Sequence, residues 1–157
     1  KVVRLMPPHH DGRSLSAVTI AAHEVGHAIQ DATGYGPLRW RTRLVQIVMP
    51  LQRIGAGVIM LSPILGLVTR APSVTFLMVA GGLLSLGTAV VVHAFTLPME
   101  FDASFGRAMP ILTEGGYLKT EDAPHARKLL RAAALTYVSA ALMSLLNIGR
   151  WLAILRR

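Results

Sequence analysis

"VTFLMVAGGLLSLGTAVVVHAFTL", residues 74–97, decides the fold. These 24 residues contain one ionisable group, His93, whereas about 20 consecutive apolar residues suffice for a helix to cross the hydrocarbon of a bilayer. A core helix of a soluble domain has no need of such length, so the stretch reads as a membrane span.

Working outward, "TRAPS" at 69–73 is a tight loop, and before it a second apolar run covers about 51–69, with Arg53 at its edge and Pro63 as a kink. A third run covers about 132–155. The segment Leu38–Val48, "LRWRTRLVQIV", mixes three arginines with Trp40 and is expected to lie along the headgroups. Composition agrees: 52% hydrophobic, 15% charged and a mean hydropathy of +0.49. The expectation is an all-α, multi-pass membrane protein forming one domain over 1–157.

The formal net charge is +8. Three spans place residues 1–53 and 98–131 on one side, with twelve basic residues, and the 69–73 loop and C-terminus on the other. That second side has three, Arg70, Arg156 and Arg157, while Arg150 falls within the last span and Lys1 belongs to the first side. The positive-inside bias makes the first side cytoplasmic, so the charge serves topology and anionic headgroups rather than nucleic acid. With no cysteine, thiolate metal sites and disulfides are excluded.

Near the start, Pro7, Pro8 and Gly12 resist regular structure and predict an extended or loop entry over residues 1–12. Ser14 or Ser16 then caps a helix running to about Thr33, where "GYGP" at 34–37 stops it. Inside that helix stands "AAHEVGHAIQ", residues 21–30. Positions i and i+4 share a helix face, so His23 and His27 can aim at one metal ion while Glu24 stands beside it. Zinc held this way lowers the pKa of water towards ~7 and polarises a scissile carbonyl, and the glutamate takes the water's proton and returns it to the leaving amine. Six histidines and four glutamates generate this spacing by chance with a frequency of about 0.006. Gly26 and the small residues around it allow close packing.

Such a site needs a third protein ligand and an open position. His9, His10, His93, Glu100, Asp102, Glu114, Glu121, Asp122 and His125 are the candidates. Topology favours Glu100, in "TLPMEFDASFGRA", directly after the span at 74–97 and on the side of the histidine helix. His93 precedes it by seven residues and would share its face if the helix continued through Pro98. For the transition-state hydrogen bond, His125, Tyr117, Tyr137 and Arg107 stay open.

The blocks "SLSAVTIAAHEVGHAIQDATGYGPLRWR", "TLPMEFDASFGRAM" and "RAAALTYVSAAL", in this order, resemble the neutral membrane zinc metallopeptidases of the YugP type. The resemblance covers nearly the whole chain. It implies a membrane zinc endopeptidase of the gluzincin kind with His23, His27 and Glu100 as ligands and Glu24 as base; separately, the site's expected position beside the bilayer points to protein or peptide substrates near the membrane. Family members usually begin with a further span and a soluble stretch, so the chain reads as N-terminally truncated. Related membrane metallopeptidases of the HtpX and prenyl-protease kind place an aspartate four after the ligand glutamate; here that position is Ser104, so orientation of the histidine falls to its hydroxyl, to Asp102 or to another group. The alternative is a non-catalytic membrane protein with a structural or sensing metal site, which four protein ligands would indicate.

Overall fold

The computed structural model describes residues 2–155, in which every element is helical and no strand occurs. Lys1, Arg156 and Arg157, together with the Arg150 side chain, enter the charge balance above but lie outside the described residues. The elements are α1 (Pro7–His10), α2 (Leu15–Ala32), α3 (Gly36–Thr69), α4 (Pro72–Phe101), a π-helical segment (Asp102–Ala108), α5 (Met109–Glu114), a 3-10 turn (Thr120–Asp122) and α6 (Ala123–Leu155). Three stretches are long and apolar enough to cross a membrane: Gly36–Thr69, Pro72–Glu114 and Thr120–Leu146.

Several boundaries differ from expectation. The first twelve residues are not wholly extended or loop: α1 forms one helical turn, with Pro7 at its start, where a missing N–H costs nothing. The basic stretch at 38–48 is not a separate element but the first part of α3, which runs unbroken past Pro50 and Pro63. Proline at 63 deprives the Ile59 carbonyl of its helical donor, and the Ser62 hydroxyl donates to that carbonyl instead at 2.8 Å. Substitution of this kind is how membrane helices tolerate proline. Likewise α4 continues through Pro98 to Phe101.

The chain divides into two compact units, Lys1–Trp40 with Phe95–Val138, and Arg41–Ala94 with Ser139–Arg157. In the second, α3 and α4 meet through small residues. A Cβ on Gly55 would collide with the Ser85 side chain, and one on Gly82 with Ile59, which is the close backbone approach that van der Waals packing between helices in lipid requires. Large apolar groups such as Leu67 (80% exposed) and Leu84 (76%) point outward, as a lipid-facing surface does.

The first unit has the conventional core. Ala22, Ala108, Met109, Leu112, Ala126 and Leu130 are buried together, with Leu15, Val18 and Phe105 against them. Leu112 and Leu130, each 1% exposed, contribute about 1.5–3 kcal/mol apiece by leaving water. This core joins α2 to the π segment and to α5 and α6, and so fixes the helix that carries the two histidines.

Candidate metal centre

Ser14 begins the site's architecture. Its side chain accepts from the Ala17 N–H at 3.2 Å, capping α2, while Gly34 at φ +68° turns the chain away after Thr33. Glycine takes that left-handed conformation without the Cβ penalty. Between these ends, 18 helical residues hold His23 and His27 on one face.

That face meets the chain just after α4. A Cβ on Gly26 would lie 2.6 Å from the Ala103 carbonyl oxygen, so only glycine lets α2 approach the π segment this closely. Gly26→Ala is expected to destabilise the protein by about 1–3 kcal/mol, the usual cost of overpacking, because both contacting groups belong to backbone. Chemical denaturation checks this. A change within about 0.5 kcal/mol would show that the approach is not needed.

Across this contact His23 Nε2 and His27 Nε2 lie 3.2 Å apart, and Glu100 Oε2 lies 3.2 Å from the first and 3.4 Å from the second. Four ligands at tetrahedral corners about 2.0–2.2 Å from a zinc ion are about 3.3–3.6 Å from one another, so the three atoms stand close to the spacing of a metal's ligand set. Their chemistry fits as well: two imidazole nitrogens and a carboxylate suit zinc. Among the described residues this is the group of three that could hold a metal.

Each histidine is held from behind. Ser104, fully buried, places its hydroxyl 3.1 Å from His23 Nδ1. His27 Nδ1 faces Gln30 Oε1 at 2.9 Å, and Gln30 in turn donates to the Met99 carbonyl and to Asp102 Oδ2, both at 2.8 Å. Arg107 Nε donates to the same Asp102 oxygen at 2.8 Å and lies over the Tyr35 ring at 5.5 Å. Of the options left open by the sequence, the Ser104 hydroxyl and Asp102 are both present at the site, the latter reaching the histidine through Gln30. Burial alone would lower the His27 pKa, but the hydrogen bonds to Glu100 and Gln30 and the charges of Glu100 and Glu24 outweigh it and raise it above its usual value.

Glu24, half-buried, lines a cavity of about 310 Å³ together with Thr19, His23, Glu100, Leu130 and Tyr137. Tyr137 also hydrogen-bonds Glu100. The remaining candidates are placed elsewhere. His10 pairs with Asp11; Glu114, Glu121 and Tyr117 are exposed; His125 lines a separate groove with Ser14 and Lys128; Arg107 is engaged with Asp102. Neither His9, His93 nor Asp122 belongs to the converging group.

Sequence reasoning missed two features. Gln30 was in view, three residues after His27 and so on its face, but a glutamine in a helix carries no metal signature. The π segment leaves no mark in apolar periodicity. Its one trace is the Asp102–Arg107 pair, five apart, with Gly106 leaving room for the carboxylate: a Cβ there would be 2.9 Å from Asp102 Oδ1.

Residues 1–156 match the sequence model of a family described as "Putative neutral zinc metallopeptidase". The chain is similar to the "Putative membrane protease YugP" of Bacillus subtilis (strain 168), 38% identical over 154 residues, which are 98% of this chain and 64% of that protein's length. No solved structure matches. Three apolar helices and a relative named a membrane protease make this a membrane-associated protein. On a match spanning 1–156, the chain belongs to the neutral zinc metallopeptidase family.

Proposed function

We propose that the chain is the membrane metallopeptidase domain of a zinc-dependent endopeptidase, with His23, His27 and Glu100 holding the ion. The observation that carries this reading is the convergence of the three ligand atoms within 3.2–3.4 Å, beside a cavity that Glu24 lines. When bound, zinc supplies Lewis acidity that polarises a peptide carbonyl and makes water easier to deprotonate.

The chain's own residues supply the rest. Glu24 accepts a proton from water and returns it to the amine leaving the cleaved bond. Of the four groups considered for the oxyanion, Tyr137 lines this cavity, where its phenol can donate to negative charge developing on the carbonyl oxygen. The cavity beside the three residues leaves room for substrate next to where they would hold the ion, which supports catalysis over a closed structural site.

Topology extends the proposal. The chain is multi-pass, its site faces the cytoplasm by the basic-residue bias, and its substrates are membrane proteins or segments near the bilayer. Because the chain spans 64% of the length of the curated relative, the activity of the whole protein is part of the proposal. Purified protein in detergent is expected to cleave an unstructured substrate such as casein, to lose that activity on zinc chelation and to regain it on adding zinc. Cleavage that persists after complete removal of the metal contradicts the proposal.

A further inference from the structure

We propose that Gln30 is a positioning residue that fixes which nitrogen of His27 is offered to the metal. The inference rests on the zinc reading above and adds a polarity to it. Gln30 is fully buried, and its side-chain nitrogen contacts the Met99 carbonyl and Asp102 Oδ2, both at 2.8 Å. Neither an amide carbonyl nor a carboxylate can donate a hydrogen bond, so both must be met by the two hydrogens of the Gln30 NH2 group. The amide therefore cannot turn over.

One consequence follows for its other end. Gln30 Oε1, an acceptor only, faces His27 Nδ1 at 2.9 Å, so His27 carries a proton on Nδ1. In the neutral ring the lone pair then lies on Nε2, which is the atom 3.2 Å from His23 Nε2 and 3.4 Å from Glu100 Oε2. Arg107 holds the far end by donating to the same Asp102 oxygen that accepts from Gln30. Arg107, Asp102, Gln30 and His27 thus form one chain of directed hydrogen bonds ending at the metal side. His23 differs: its Nδ1 partner is the Ser104 hydroxyl, which can donate or accept and imposes no direction.

The test uses the full chain in detergent, with zinc affinity measured by chelator competition and with ¹H–¹⁵N spectra of histidine-labelled, zinc-loaded protein. Gln30→Leu is expected to weaken zinc binding by about 10–100-fold, the usual loss when a ligand's supporting group is removed. It should also abolish the slowly exchanging His27 Nδ1–H resonance that wild type shows.

Asp102 is partly exposed, and its variants supply a control should Gln30→Leu fail to fold. A single oxygen accepts both donors, so Asp102→Asn keeps an oxygen for both and is expected to bind zinc within a few-fold of wild type. Asp102→Leu is expected to lose affinity as Gln30→Leu does. A merely structural role would not produce this split.

The assignment is overturned if Gln30→Leu matches wild type in affinity, if the Nδ1–H resonance survives in it, or if the two Asp102 variants behave alike. Wild-type protein that binds no zinc would instead overturn the zinc reading itself, so the two failures are distinguishable.

Discussion

Glu24→Gln is expected to retain zinc and to lower the rate of peptide cleavage by about 10²–10⁴-fold, the usual contribution of a positioned proton acceptor. Position is the reason. Glu24 follows His23 directly, so on the helix it stands about 100° round from the ligand face, and it lines the cavity that also contains His23 and Glu100. It is not one of the three converging donors. An amide of the same shape keeps the packing but has no basic oxygen with which to take a proton. Zinc content is read by elemental mass spectrometry and cleavage by release of peptides from casein, on the same sample. Loss of metal along with activity would make Glu24 a ligand instead, and full activity would remove it from the mechanism.

Glu100→Ala is expected to weaken zinc binding by more than about 100-fold, beyond the range for loss of a supporting group, because a coordinating atom itself is removed. Glu100 is 3% exposed, and its Oε2 lies against both histidine nitrogens. Without it two imidazoles remain, which is one protein ligand fewer than a catalytic zinc site uses. Glu121 is the control: it is exposed, pairs with Lys119 at 3.7 Å and is not one of the converging group, so Glu121→Ala should leave affinity unchanged. Chelator competition on both variants decides the matter. Equal affinities would move the third ligand away from Glu100.

The reach of sequence reasoning follows from what each feature leaves in the letters. Membrane helices are written in length and apolarity, so 74–97 was recognisable at once. The His23–Glu24–His27 spacing was equally open, since ligand geometry on a helix depends on sequence offset alone. Glu100 required the expected topology, because 73 residues separate it from His27 and only the expected order of spans puts acid and histidine helix on one side.

Other features were hidden for physical reasons. The continuity of α3 and α4 through Pro63 and Pro98 depends on local donors; at Pro63 the Ser62 hydroxyl replaces the missing N–H, a contact not implied by either residue alone. The π segment changes hydrogen-bond register without changing composition. Gln30 carries no signal in the letters, because the partners of its amide, Met99 and Asp102, lie 69 and 72 residues away.

The central claim is that His23, His27 and Glu100 hold one zinc ion at a hydrolytic site. Zinc X-ray absorption on the purified full chain, compared between wild type and Glu100→Ala, tests it most directly. The expected wild-type spectrum has one zinc per chain with two imidazole nitrogens at about 2.0–2.1 Å, a carboxylate oxygen at about 2.0–2.2 Å and a remaining position not filled by protein, while Glu100→Ala loses the carboxylate contribution or the metal. A spectrum with four protein ligands, or one unchanged by the loss of Glu100, would contradict the account.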